Sequence, residues 1–195
     1  MKNRMILAAL LLMALGTVRA QENSKVNTVV ANTIGDVTLV QGHAFHVEFD
    51  MDNPNFASDW NLSDSILTLN GTGDFLVTIP ELNYLTLRST GDVLSNGTLQ
   101  GGNLRIESFG TGDIKLDLNY ENVYALVDGT GDVILSGESS ALFAEVCGLG
   151  DFKANTMRSE IGLANVTGFG DCDLGTIRFN AYYSSLEAIN KSYEI

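Results

Sequence analysis

Apolar and polar residues alternate with a period of two along most of the chain, and Gly-Asp pairs interrupt this alternation at regular places. In four of the copies the fifth and seventh residues before the aspartate are apolar, as in Val127 and Ala125, and a mostly polar position separates them. The residue after each aspartate is also apolar: Phe75, Val93, Ile114, Val133, Phe152 and Cys172. This pattern predicts short, half-buried β-strands on both sides of each Gly-Asp pair, and little or no helix.

The Gly-Asp pairs recur about every 19 residues. Their aspartates stand at positions 36, 74, 92, 113, 132, 151 and 171, so the intervals are 38, 18, 21, 19, 19 and 20 residues. The first interval is twice the period, as if a copy near residue 55 had lost its pair. A fixed period of this length is typical of stacked supersecondary units. Because each repeat contains two short strands and two turns, we predict an all-β fold, a single-stranded β-solenoid. Its coils are expected to follow one another in the order of the sequence, about 4.8 Å apart.

One stretch departs from the repeat. Residues Asp50 to Asp64 are acidic and contain Pro54 and Trp60. We expect a loop that bulges from the second coil, with Phe56 or Trp60 folded over an apolar edge. Two alternating strands around a Gln41-Gly42 turn are expected before this loop, and residues 181–195 are expected to shield the last coil.

The first 20 residues have the features of a secretory signal peptide. Lys2 and Arg4 precede an apolar run, and Val18 and Ala20 occupy the small-residue positions of a cleavage site. The apolar run is too short for a membrane span, and no later segment is apolar enough for one. The sequence thus predicts a signal peptide (residues 1–20) and one exported domain (residues 21–195), in the periplasm, on the outer surface or in the medium.

The predicted exported domain is strongly acidic. After residue 20, eight basic residues stand against 24 acidic ones, a formal net charge of −16. This charge repels phosphate backbones and anionic lipids, so we expect no nucleic-acid partner. Cations or a basic protein surface are more suitable partners, although high negative charge also simply keeps a secreted protein soluble.

The ordered series of "GTGD", "GLGD" and "GFGD" motifs resembles the head GIN domain family of auto-transporter adhesins. The leading segment "IGDVTLVQGHAFHVEFD", an acidic loop and "DSILTLNGTGDFLVTIPELNYLTLRSTGDV" follow the order of that family. The resemblance spans about Asn27 to Ala181. It implies a right-handed β-solenoid of the bacterial cell envelope that acts in adhesion or as a structural accessory, and it carries no catalytic residues.

Stacked coils would place six aspartates in one column: Asp74, Asp92, Asp113, Asp132, Asp151 and Asp171. Like charges at such spacing repel unless each is neutralised, and calcium is one cation that prefers oxygen ligands. The structural alternative is that each carboxylate accepts N–H groups of its own turn while the glycines supply positive φ angles. We favour the structural alternative and expect no cofactor, with calcium as the secondary interpretation.

Histidines and cysteines provide weaker candidates. His43 and His46 lie three apart on an expected strand, where they would face opposite sides and share no metal. Cys172 takes the place of core residues and Cys147 takes a polar corner position, so we expect two unpaired thiols.

Aromatic residues provide the candidate ligand-binding positions: Tyr84, Tyr124, Phe143, Tyr182 and Tyr183. Such a strip binds a ligand or only stabilises the face of the solenoid. A glycan-cleaving β-helix enzyme is less favoured, because the lysines and arginines do not recur at one repeat position. We therefore expect no enzyme but a surface module that binds glycan or protein, with a structural envelope accessory as the alternative.

Overall fold

The computed structural model describes residues 25–49 and 58–183, with the backbone alone for residues 180–183. Within these ranges there are thirteen β-strands and no helix, so none that could cross a membrane. The strands are β1 (Thr28–Thr33), β2 (Val37–Gln41), β3 (His46–Phe49), β4 (Asp59–Ser63), β5 (Ile66–Gly71), β6 (Phe75–Ile79), β7 (Tyr84–Leu87), β8 (Val93–Ser108), β9 (Ile114–Val127), β10 (Val133–Val146), β11 (Phe152–Val166), β12 (Cys172–Asp173) and β13 (Thr176–Tyr183).

The strands stack in parallel and form a β-solenoid, as predicted. β9 pairs with β10 in register, from Ile114 opposite Val133 to Val127 opposite Val146. Buried and exposed residues alternate along β9 except at Glu121 and Asn122, which are both exposed because the chain bends there. Each long strand thus contributes to two faces. We call the residues that follow an aspartate the first face, those that precede the next Gly-Asp the second face, and the Gly-Asp turns the Asp corner.

The coils do not stack in the order of the sequence. β1 pairs with β5 on one side and with β7 on the other, and β2 pairs likewise with β6 and β8. The first coil of the chain therefore lies between the coil of residues 66–79 and the coil that begins at residue 84. A serial stack was expected, and that expectation is wrong at this end. Apolar alternation makes a strand suitable for the interior of the stack but does not select its neighbours.

Antiparallel strands cover the end of the stack that is formed by β5 and β6. β3 pairs antiparallel with β6, and β4 pairs antiparallel with β5. These two strands saturate edges that would otherwise be unpaired. The 38-residue first interval therefore contains the covering strands β3 and β4. Its described residues do not form the additional coil that was expected near residue 55.

The predicted loop from Asp50 to Asp64 is corrected in part, because its residues 59–63 form the edge strand β4. Trp60 covers the apolar edge as expected, with its ring edge-on to Phe45 at a centroid distance of 5.9 Å. The expected strands around Gln41 and Gly42 are present as β2 and β3. Phe56, the signal peptide and most of the expected C-terminal cap lie outside the described residues.

The core consists of inward-facing columns that run along the stack. Six of the seven residues that follow a corner aspartate are buried, which confirms the alternation inferred from the sequence. Cys172, the seventh, is half-buried because its short strand β12 pairs with β11 alone. The second face and the Asp corner are thus held in fixed positions on a continuous apolar interior.

Candidate functional site

The corner aspartates form a single hydrogen-bonded column. In each coil the aspartate Oδ1 accepts the backbone N–H of the aspartate in the next coil, at 2.8–2.9 Å. The spatial order is Asp74, Asp36, Asp92, Asp113, Asp132, Asp151 and Asp171.

This column corrects two expectations. Asp36 lies between Asp74 and Asp92, because the first coil is inserted there. The carboxylates also bind the N–H of a neighbouring coil and not of their own turn, so each bond fastens one coil to the next. Backbone partners were expected for the carboxylates, and the neighbouring coil provides them.

Lys115 relieves the charge repulsion in the middle of the column. Its Nζ lies 3.2 Å from Asp92 Oδ2 and 2.8 Å from Asp113 Oδ2. Burial acts to raise the pKa of Asp113, but the hydrogen bonds from Lys115 and from the Asp132 N–H outweigh it and hold that pKa below its usual range. The bond to Asp113 in turn raises the pKa of Lys115. At neutral pH both side chains are therefore charged and paired.

Lys153 repeats this bridge two coils further along, 2.5 Å from Asp132 Oδ2 and 3.0 Å from Asp151 Oδ2. The N–H of Asp171 and the ammonium of Lys153 lower the pKa of Asp151. Lys115 and Lys153 each follow their own aspartate by two positions, so the statement that basic residues do not recur at one repeat position is wrong for this pair. In the described part of the chain, no three His, Cys, Asp or Glu side chains are grouped to hold a metal ion.

The glycines of the Asp corner allow the backbones of neighbouring coils to approach each other closely. Positive φ angles were expected at these glycines, but Gly112, Gly131 and Gly150 do not have them. A Cβ at any of the three would lie 2.0–2.1 Å from the carbonyl oxygen of the equivalent glycine in the preceding coil. A side chain there would force the coils apart, so the glycine requirement comes from backbone packing between coils.

The second face carries an outward column that includes most of the predicted aromatic residues. The strand register aligns Tyr84, Arg105, Tyr124, Phe143 and Leu163. All five stand eight residues before a corner aspartate. That offset could have placed Arg105 and Leu163 in the column from the sequence, but the aromatic residues alone were selected.

The last two predicted positions fall in β13. Tyr182 pairs with Leu163 and so extends the same column by its register. Tyr183 pairs with Ala164, in the register of the inward column of Ala125 and Ala144. By its register, Tyr183 thus belongs to a different column from the other four candidates.

Stacking engages the ring faces of this column. The Arg105 guanidinium lies 4.2 Å from the centroid of the Tyr124 ring, and the Tyr124 and Phe143 rings are nearly parallel, 5.0 Å apart. The rings therefore use their faces on one another along the stack. The ring edges and the face of Phe143 that is turned away from Tyr124 are what this arrangement leaves for a ligand.

Two glutamates hold the polar atoms of the column. Glu107 accepts from the Tyr84 hydroxyl and from Arg105, whose Nη2 and Nε lie 2.6 and 2.7 Å from Glu107 Oε1. Burial acts to raise the pKa of Glu107, but these bonds outweigh it and lower that pKa. Tyr124 donates to Glu145 at 2.7 Å, and burial with this bond raises the pKa of Tyr124 to about 12. Glu107 is therefore ionised and the Tyr124 hydroxyl is protonated near neutral pH.

A groove of about 570 Å³ runs beside this column across the coils of β8 to β11. Its β8–β9 end is polar, where the Asn122 amide donates to the Asn103 side-chain oxygen at 3.0 Å. Its β10–β11 end is aliphatic, and Ile161 and Leu163 there are 47% and 39% exposed. A pocket of this size with a few convergent polar groups is typical of a ligand site. The column can be read from the sequence, whereas the groove is a property of the folded surface.

A second groove of about 470 Å³ lies where the long strands bend between the faces. Glu138, Glu160, Arg158 and Arg178 contribute opposite charges in equal number, and Arg158 lies 4.0 Å from Glu138. Because the two positive and two negative charges balance, this groove favours neither an anionic nor a cationic ligand.

The remaining candidates lie apart from both grooves. His46 Nε2 lies 3.0 Å from Glu48 Oε1, and His43 is exposed between β2 and β3. Both cysteines are free thiols. Burial raises the pKa of the Cys172 thiol to about 12, whereas Cys147 Sγ lies 3.4 Å from the Thr167 hydroxyl at the corner.

Comparison with known proteins supports the fold. The family model described as "Putative auto-transporter adhesin, head GIN domain" matches residues 17–178. A crystal structure of a "putative adhesin" from Bacteroides fragilis is similar at 24% identity, with a TM-score of 0.72 over 80% of this chain and 78% of that chain. A "putative adhesin" from Parabacteroides distasonis is similar at 15% identity and a TM-score of 0.60, over 80% of both chains.

A further solved structure, a "Putative lipid binding protein" also from Parabacteroides distasonis, is similar at 11% identity and a TM-score of 0.54, over 87% of this chain and 98% of that chain. At these identities the structural likenesses show the fold alone. None of the curated proteins matches the chain.

Proposed function

The chain belongs to the head GIN domain family described as putative auto-transporter adhesins, and we propose that it is an exported adhesion module that binds a glycan or protein at a cell surface. Export follows from the signal peptide that residues 1–20 predict. The family supports adhesion in general terms. We infer the ligand-binding part of the molecule from the shape and chemistry of its surface.

The groove on the second face is the observation that carries the proposal. It combines the stacked side chains of Arg105, Tyr124 and Phe143 with exposed aliphatic positions at Ile161 and Leu163. Exposed apolar groups beside polar ones are a common feature of interaction sites.

Rigid display is the mechanism that this architecture supports. The hydrogen bonds and lysine bridges of the Asp corner hold the coils at fixed spacing, so the groove exists before a ligand arrives. A preformed site avoids the entropy cost of ordering side chains on binding. The same rigidity would also suit a structural accessory of the cell envelope, which is the alternative function. That function would need only the stability that the Asp corner provides, and no ligand.

A binding experiment separates these functions. The exported protein is compared with a double variant, Ile161→Ser with Leu163→Ser, which removes the aliphatic end of the groove. Leu76→Ser is the matched control, because Leu76 is 37% exposed on the first face, away from the groove.

The readout is attachment to bacterial and host cell surfaces and to a glycan array. An adhesion module binds at least one of these surfaces, loses about tenfold in affinity in the double variant, and keeps its affinity in the control. Equal attachment by all three proteins would reject the groove as the binding site, and no attachment by any of them would favour the structural accessory.

A further inference from the structure

We propose that the groove binds an amphiphile of the glycolipid type, with one aliphatic chain along the β10–β11 end and an uncharged sugar head at the β8–β9 end. This inference rests on the proposed function and names the class of ligand for the same site. It follows from the division of the groove into a polar and an aliphatic half.

The aliphatic half offers no hydrogen bonds from its side chains. Ala141, Phe143, Ile161 and Leu163 line it, and none of these side chains carries a donor or an acceptor. A sugar ring placed there would bury hydroxyl groups without partners, which is unfavourable. An alkyl chain has no such groups and gains from the removal of apolar surface from water.

The stacked rings also disfavour a sugar in this half. Sugars commonly bind aromatic residues through the exposed face of a ring. Here the faces of Tyr124 and Phe143 are turned to each other, nearly parallel at 5.0 Å, and Arg105 covers the other face of Tyr124. The ring edges and the remaining face of Phe143, which lies on the side of Leu163, suit the flank of an aliphatic chain.

An extended peptide is a poorer occupant of the groove than an alkyl chain. The groove lies on the face of the sheet, where the backbone groups of β8 to β11 are already bonded to neighbouring strands. A bound peptide would bring N–H and C=O groups that find few partners on such a face. Partners for peptide strands are found at sheet edges.

The polar half suits an uncharged head with several hydroxyl groups. Asn103 and Asn122 present amides that both donate and accept hydrogen bonds. Arg105 is the cation beside them, and its contacts with Glu107 at 2.6 and 2.7 Å already compensate its charge. The net charge of −16 after residue 20 additionally repels an anionic head.

Isothermal titration of the exported protein with n-alkyl maltosides tests the proposal. Hexyl, octyl and decyl maltoside are used below their critical micelle concentrations, with maltose as the head group alone. The dissociation constant should fall about fourfold for each added methylene until the aliphatic half is full, which corresponds to about 0.8 kcal/mol per methylene. Maltose alone should show no binding over the same range.

Two variants tie the effect to the groove. The double variant Ile161→Ser with Leu163→Ser should weaken decyl maltoside by about tenfold or more and flatten the dependence on chain length. Leu76→Ser should retain both, and thermal melting monitored by circular dichroism establishes that each variant is folded.

Several outcomes would overturn the inference. These are affinity that does not change with chain length, binding only above the critical micelle concentration, or equal weakening in the Leu76→Ser control. Glycan binding without any chain dependence would uphold the adhesion function and reject the amphiphile. Chain-dependent binding in a protein that attaches to no cell surface would reject adhesion and retain the ligand class.

Discussion

The Asp corner and the outward column beside the groove are both rows of stacked side chains. They differ in whether their side chains find partners within the protein. At the corner, each carboxylate bonds the next coil, and two lysines bridge four of the seven aspartates. In the groove, Ile161 and Leu163 remain exposed beside a groove of about 570 Å³. A repeat that satisfies its own groups is suited to stability, and one that leaves them exposed is suited to binding.

The largest effect on stability is expected from a side chain at the Asp corner. In Gly131→Ala the new Cβ would meet the Gly112 carbonyl oxygen at 2.0 Å, so the free energy of unfolding should fall by about 3 kcal/mol or more. Gly102→Ala is the matched control, because no atom lies within 4 Å of the Cβ it would add. Its effect should stay within about 0.5 kcal/mol. Urea denaturation measures both, and equal losses would refute the role assigned to the corner glycines.

Removal of one corner carboxylate should cost less. Asp113→Ala leaves the Asp132 N–H without its acceptor and Lys115 without one of its two partners. We expect a loss of about 1–3 kcal/mol in the free energy of unfolding. Asp113→Asn keeps an oxygen for the N–H and loses only the charge, so it should be the milder change in the same denaturation experiment. If Asp113→Asn were the more destabilising of the two changes, the charge of Asp113 and not its hydrogen bond would account for the stabilising effect.

Acid should weaken the corner more gently, because protonation leaves the oxygen atoms in place. The pKa values of Asp113 and Asp151 are lowered in the folded protein. Their contribution to stability is therefore fully present above the usual carboxyl range near pH 4 and is lost as the pH falls through the lowered pKa values. Unfolding measured between pH 7 and pH 2 should show this decline. Asp113→Asn should decline less steeply, and parallel curves would contradict the assignment.

The smallest effect is expected from calcium. The ammonium groups of Lys115 and Lys153 already lie between paired carboxylates, where a cation would otherwise relieve repulsion. We propose that neither millimolar calcium nor a chelator changes the melting temperature. A clear rise with calcium, reversed by the chelator, would instead support the metal column considered from the sequence.

The sequence predicts the solenoid well because the signal for it is repeated in every coil. Apolar residues such as Ile114 and Val133 follow each aspartate, and identical spacing brings them into register. The order of the first coils was not predictable in this way. β1 carries the same alternation as the other strands, and it does not specify that β5 and β7 become its neighbours.

The candidate face was predicted in part for a related reason. Tyr124 and Phe143 were recognised because aromatic residues at one offset are conspicuous, while Arg105 and Leu163 at the same offset were passed over. The groove depends on the exposure of Ile161, which is a property of the folded surface. Likewise, the corner glycines were visible in the sequence, but their cause, the contact of backbones between coils, appears only when the coils are stacked.

The insertion of the first coil has a consequence for how the chain folds. Both edges of β1 are occupied by strands that come later in the chain, with Thr28 opposite Ile66 on one side and Tyr84 on the other. A chain that emerges from its N-terminus cannot complete this coil until residues up to the start of β8 have followed. Completion of this coil therefore depends on contacts that span about half of the described sequence, and such long-range closure slows folding. Growth of the remaining coils can then proceed by addition of one strand after another toward the C-terminus.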